Sequence, residues 1–203
     1  MPDSQGDVSR LIAAARGNQP RAVDDLLALY HNYLNLIART SLDRGLRAKA
    51  DPSDMVQETM LNAHANFGQF QGKTEAELIA WLRQILARQV AGLARRFRTG
   101  ARKTTRELSF DEVLRNSSMA IDKFVVDAGP SPSSAYQRRE LAVVMADALA
   151  QLSPDHREVI VLRSIEELDW PAVAEKMGRG PDAVRVLWTR ALKQLRPHIE
   201  ERL

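Results

Sequence analysis

The sequence predicts an all-α protein made of two small helical domains joined by a flexible linker, the second domain carrying a helix-turn-helix. Three observations lead there. Apolar residues recur at three- and four-residue spacing over most of the chain, no stretch keeps the period-two alternation of a half-buried strand, and no segment repeats another. At 203 residues the chain has room for two domains near the common size of about 100 residues.

The elements follow in order. Asp7 to Arg16 reads as a short helix closed by Gly17. Pro20 then opens a longer one to about Thr40, with Val23, Leu26, Leu27, Tyr30, Leu34 and Ile37 near helical period. Asp51-Pro52 supplies an N-cap and a first-turn proline, and Asp54 adds negative charge beside the positive helix end. In that helix Val56, Met60, Ala63 and Phe67 form an inner stripe, which leaves Asp54, Gln57, Glu58 and Leu61 on the opposite side. A glycine-bearing loop runs from Gly68 to Thr74. It leads into a long helix from about Glu75 to Phe97, with Leu78, Trp81, Leu82, Ile85, Gln89 and Leu93 along one side.

A first domain is therefore expected over residues 1–98, followed by a linker over 99–134. The linker contains Gly129-Pro130-Ser131-Pro132, where proline opposes helix. Its apolar clusters around Leu108 to Leu114 and Ile121 to Val126 argue against disorder throughout. The second domain, 135–203, begins with a helix to Gln151. Ser153-Pro154 caps another helix, from Asp155 to about Ser164.

From Leu168 to Arg196 two helices are separated by a glycine turn. Asp169 is the N-cap, Pro171 fits the first turn, Val173, Ala174 and Met177 repeat at helical spacing, and Gly178 can take a left-handed C-terminal conformation. After Arg179 and Gly180, Pro181 opens a helix whose Val184, Leu187, Trp188, Ala191 and Leu195 share an apolar stripe. Arg185, Thr189, Arg190 and Lys193 lie away from its centre. This is the pattern of a DNA-binding helix-turn-helix, whose second helix enters the major groove with base contacts near its N-terminus and basic side chains on phosphate.

Formal net charge is only +3, but charge is segregated. From Ala50 to Gly72, Asp51, Asp54 and Glu58 occur without a lysine or arginine. From Leu78 to Arg106, Arg83, Arg88, Arg95, Arg96, Arg98, Arg102, Lys103 and Arg106 occur without an acid. Two partners are implied, one polyanionic and one with a basic or polar docking face. Phe67 and Phe70 flank the glycine loop just before the basic helix. An aromatic there can stack on an unpaired base while arginines hold the strand's phosphates, or it can simply pack. Phe70 is preferred over Phe67, which lies on an inner stripe.

Catalysis finds no support in the motifs. His31, His64, His156 and His198 lack metal-ligand spacing, and no nucleophile elbow, P-loop or dinucleotide fingerprint occurs. No metal or cofactor is expected. Cysteine is absent, which rules out disulfides and thiolate metal sites and suits a reducing cytoplasm. The N-terminus lacks a secretory pattern and no apolar run nears the ~20 residues that span a bilayer, so a cytoplasmic protein without membrane insertion is expected.

Taken in order, DPSDMVQETMLNAHANF, the following loop, WLRQILARQVA, the variable linker, LSPDHREVIVLRSIEELDWPAVAEKMG and AVRVLWTRALKQL resemble the landmarks of bacterial RNA polymerase sigma factors of the extracytoplasmic-function (ECF) subgroup. The resemblance implies a non-enzymatic subunit that binds the polymerase core, at the beta-prime clamp and the beta subunit, and directs it to promoter DNA. It implies that Asp51, Asp54, Gln57, Glu58 and Leu61 face the core. It assigns Phe70, Gln71, Lys73, Arg83, Arg88, Arg95 and Arg96 to the melted downstream (−10) element. Arg179, Arg185, Val186, Thr189, Arg190 and Lys193 are assigned to the upstream (−35) duplex, and an anti-sigma factor is a further partner of such proteins. The recognition helix departs from many relatives at Gly180-Pro181-Asp182 and at Val186, Leu187 and Trp188. A stand-alone helix-turn-helix regulator would explain Leu168 to Arg196 but not the acid-to-base succession from Asp51 to Arg106.

Overall fold

Tyr30 breaks what the periodicity predicts as one helix. Its N–H donates to the Leu27 carbonyl three residues back (3.0 Å), and its φ and ψ of −104° and 2° leave the helical region. The ring is 1% exposed and its hydroxyl donates to Glu75 Oε1 at 3.0 Å, so the turn buries an aromatic body and still satisfies its polar tip. Two helices result, α2 (Ala22–Ala28) and α3 (His31–Ser41), after α1 (Ser4–Arg16). The apolar spacing runs on through the break, which is why it predicts a single element.

The computed structural model describes residues 4–17, 19, 21–42, 44–47, 49–98, 124 and 135–201. The described residues are helical or irregular, with no strand among them. The chain divides into two compact units, Met1–Ser118 and Met119–Leu203. The stretch expected as a linker, 99–134, lies outside the described residues apart from Phe124, which is buried within the second unit.

In the first unit a short α4 (Arg44–Arg47) precedes α5 (Pro52–Asn66) and α6 (Glu75–Arg98). Asp51 caps α5 by accepting from Ser53 N at 2.8 Å, ahead of Pro52. The buried face of α5 is Met55, Val56, Thr59 and Ala63, so Met60 is only half-buried where the stripe expected it inside. Thr59 lies 0% exposed because its hydroxyl donates to the Met55 carbonyl and bonds the Gln89 amide, both at 2.8 Å, tying α5 to α6.

Helix α6 buries Leu78 and Leu82 as expected, but also Ile79, Leu86, Ala87, Val90, Ala91 and Ala94, while Ile85, Gln89 and Leu93 are half-buried. It packs against α1, α3, α4 and α5, so more than one of its faces is covered and a single stripe understates the core.

In the second unit α7 (Ala135–Gln151) and α8 (Pro154–Ile160) precede a wide π turn over Val161–Ile165. Ser153 stands at the N-cap of α8 but its hydroxyl does not cap; Pro154 alone marks the start. The π turn closes when Glu166 N–H donates to the Val161 carbonyl at 2.8 Å. Glu167 then takes a left-handed φ of 54°, a conformation that costs a non-glycine roughly 1 kcal/mol. That turn points the chain into α9 (Trp170–Met177) and α10 (Pro181–Glu200). Val159, Ile160, Val173, Val184, Ala191 and Leu195 form the core that joins them. No helix among the described residues is long and apolar enough to cross a membrane.

Candidate nucleic-acid interface

The helix-turn-helix is fixed at both ends of its first helix. Asp169 accepts from Ala172 N at 2.9 Å to start α9. Gly178, at φ 61°, ends it with a Schellman pair of bonds: Arg179 N to the Ala174 carbonyl (3.0 Å) and Gly178 N to the Glu175 carbonyl (3.2 Å). Pro181 then begins α10, which buries Val184, Ala191, Leu195 and Ile199. Geometry thus presents the other side of α10. Arg185, Val186, Thr189, Arg190 and Lys193 are all exposed, Val186 to 50%, and Arg179 is exposed in the turn before them.

Two of these arginines are already engaged. Arg179 pairs with Asp155 of α8, and Arg185 Nη1 donates to Asp182 Oδ1 at 3.2 Å. Thr189 donates its hydroxyl to the Arg185 carbonyl at 3.0 Å. Leu187 and Trp188 are half-buried. Trp188 keeps its indole N–H on Ser164 Oγ (3.0 Å) and packs edge-on against Trp170 with ring centres 5.7 Å apart. Asp155 and Asp182 were not among the expected site residues. The i, i+3 spacing of Asp182 and Arg185 was the available signal for the second.

In the first unit the structure corrects the expectation for Phe70. The ring is 5% exposed, packed 5.8 Å from Phe67 and 5.1 Å from Trp81, so it is not presented to a strand. A base cannot stack on a face that Trp81 already covers. Gly72 explains the tight fold: a Cβ there would lie 2.4 Å from the Phe70 ring and 2.7 Å from Glu77 Cβ. Arg16, from distant α1, donates to the carbonyls of Phe70 (2.9 Å) and Gly72 (2.7 Å) and rests over the Phe70 ring at 5.7 Å.

At the other end of the loop, Glu77 and Thr74 form a capping box. Glu77 Oε2 accepts from Lys73 N (2.8 Å), Thr74 N (3.0 Å) and Thr74 Oγ1 (2.8 Å), and Glu77 N donates to Thr74 Oγ1 at 3.3 Å. The Lys73 backbone donor, the Thr74 hydroxyl and the Thr74 backbone donor, in that order, hold the Glu77 carboxyl below the usual glutamate range. Gln71 and Lys73 are exposed on this braced loop. Along α6, Arg83 is half-buried and Arg88, Arg95 and Arg96 are exposed. Arg88 and Arg95, seven residues apart, share a face about 10 Å along the axis. Sequence reasoning missed Arg16, which no local pattern marks, and the capping box, which the spacing Thr74-x-x-Glu77 does mark.

A third surface lies on α5. Asp54, Gln57, Glu58 and Leu61 are exposed, Leu61 to 72%, beside a shallow groove of about 250 Å³ where α2 and α5 meet at Leu27 and Met60. His64 of α5 approaches Asp24 of α2 at 3.4 Å across that groove. Asp51 is exposed as well, with its carboxylate spent on the helix cap. Among the described residues no cluster of histidine and carboxylate side chains could hold a metal ion.

Residues 143–195, which contain α9 and α10 as far as Leu195, match the family Sigma-70, region 4. The chain is similar over 196 residues, at 26% identity, to the ECF RNA polymerase sigma factor BldN of Streptomyces coelicolor, a match covering 96% of this chain and 67% of BldN. It is 32% identical over 164 residues to the ECF RNA polymerase sigma factor SigG of Mycobacterium tuberculosis, covering 75% of this chain but 44% of SigG, less than half of that relative. Against the RNA polymerase sigma factor CarQ of Myxococcus xanthus it is 31% identical over 160 residues, 79% of this chain and 81% of CarQ. The chain belongs to the ECF RNA polymerase sigma factor family. Sigma factors are not enzymes; they bind the RNA polymerase core and promoter DNA and direct the polymerase to promoters. The exposed basic side of α10 therefore lies in the region 4 helix-turn-helix of a sigma factor.

Proposed function

We propose that this ECF sigma factor divides its work among the three surfaces: α5 on the polymerase, the braced loop with α6 on the downstream element, and α10 on the upstream duplex. Its domains span 1–98 and 135–203 with a linker over 99–134, and it works in the cytoplasm, at the nucleoid when in holoenzyme. The observation that carries it is the exposed row Arg185, Val186, Thr189, Arg190 and Lys193 on the helix whose opposite side is core. Near the N-terminus of α10, Arg185 reads a base edge, while Lys193, two turns on, neutralises phosphate.

On the polymerase side, Asp54, Gln57 and Glu58 meet a basic part of the beta-prime clamp, with the beta subunit as a second contact, and exposed Leu61 seats in an apolar site there. An anti-sigma inhibitor would compete for the Leu61 surface. In the downstream element, Gln71 and Lys73 meet the unpaired strand and Arg88, Arg95 and Arg96 hold its phosphates, with Arg83 set closer to the core. Phe70 serves by shaping the loop rather than by stacking. Trapping bases that have left the duplex turns binding energy into strand opening without chemistry by this subunit.

The test is a promoter-library selection with reconstituted holoenzyme. Arg185→Ala changes which upstream sequence is preferred, at ~1–3 kcal/mol for a good bidentate contact, whereas Lys193→Ala weakens all sequences alike. Identical sequence preference for Arg185→Ala and the parent contradicts the assignment of Arg185.

A further inference from the structure

Arg185 is held by one group from outside its own helix and one from within it. Its guanidinium carbon lies 5.8 Å from the centre of the Trp170 ring, and Arg163 lies 4.9 Å from the same ring. Trp170 is itself fixed: it meets Trp188 edge-on, Trp188 donates to Ser164 Oγ, and Arg163 Nη1 donates to the Leu168 carbonyl at 3.0 Å. The π turn, the first residue of α9 and the first turns of α10 therefore meet at one aromatic ring. Arg185 also donates Nη1 to Asp182, three residues earlier in α10.

We propose that Trp170 and Asp182 are positioning residues that fix Arg185 for a bidentate contact to a guanine edge in the upstream element. The proposal rests on reading Arg185 as a base contact. A free arginine side chain samples many rotamers and loses that freedom when it binds. Here a ring and a carboxylate restrict it before DNA arrives, so less is lost on docking. Asp182 occupies one Nη1 hydrogen and leaves the Nε and Nη2 donors, a pair whose side-by-side spacing matches guanine N7 and O6.

The carboxylate has a second effect. Beside the guanidinium it repels a phosphate, which disfavours a backbone contact and turns the arm toward a base. Asp182 itself sits in the first turn of α10, where the helix dipole favours an acid, and its side chain is 96% exposed. Replacing it with asparagine therefore disturbs no packing. Trp170 is half-buried, so its variants need a control for folding.

Holoenzyme carrying the parent chain, Arg185→Ala, Asp182→Asn, Trp170→Phe or Trp170→Leu is selected against a promoter library randomised in the upstream element, with melting temperature measured for each chain. The parent prefers guanine at the position that Arg185→Ala relaxes, by roughly tenfold. Asp182→Asn and Trp170→Leu each lower that preference about threefold, consistent with loss of one exposed cation–π or ion-pair contact. Trp170→Phe retains it, and Asp182→Asn changes nothing further once Arg185→Ala is present. A structural role alone would lower binding to all sequences without moving the base ratio. Parent-like ratios for Asp182→Asn and folded Trp170→Leu, with the ratio lost in Arg185→Ala, overturn the positioning proposal and spare the Arg185 assignment. A parent-like ratio in Arg185→Ala overturns both. If Trp170→Leu fails to fold, Asp182→Asn decides the matter.

Discussion

Replacing Phe70 by alanine removes a buried ring from the cluster it shares with Phe67 and Trp81, and the expected cost is ~3–5 kcal/mol of stability. A urea unfolding curve checks this: a midpoint equal to the parent's would return Phe70 to the surface. Arg16→Ala makes the complementary case. It leaves the aromatic cluster in place but deletes two hydrogen bonds to loop carbonyls, so closed promoter binding should persist while open complex falls. Permanganate footprinting of unpaired thymines reads the difference, and a pre-melted promoter should restore most of the lost signal; parent-like reactivity on duplex promoter would release Arg16 from this role. Phe70 and Arg16 also mark where sequence runs short. An aromatic between two glycines reads equally as a platform or as a plug, and what decides is Trp81 and Arg16, which are brought there by tertiary packing alone.

Elements with chemical punctuation are legible in the sequence, and elements set by burial are less so. Asp51-Pro52 and Asp169 followed by Pro171 fall where carboxylates cap helices, and Gly178 falls where the chain needs a left-handed residue. The turn at Tyr30 carries no such mark, because a single misaligned residue preserves helical spacing on either side. The breadth of the α6 core escapes a stripe analysis for a related reason, since four other helices cover it. On α5 the outward set was legible because acids and an amide alternate with core positions every third or fourth residue. Charge reversal at Asp54 and Glu58 together should weaken binding to polymerase core, at a stability cost of about 0.5 kcal/mol at Glu58 and about 1 kcal/mol at Asp54, which sits at the positive end of α5. A pull-down titration with helicity measured in parallel tests it; unchanged affinity with preserved helicity would remove this face from the polymerase contact.

Across the whole chain, acids without bases from Ala50 to Gly72 are followed by bases without acids from Leu78 to Arg106, and a second basic face lies on α10. A duplex-binding regulator needs the last of these and has no use for the first two. A sigma factor needs all three, because it must hold a protein, a melted strand and a duplex in one initiation complex. The most direct measurement is transcription by purified bacterial core polymerase with and without this chain on a library of promoter templates. Initiation is expected at a defined subset of templates that depends on the chain, with start sites fixed relative to a shared upstream sequence. Tight, sequence-specific binding to duplex DNA without polymerase, together with no chain-dependent initiation on any template, would contradict it.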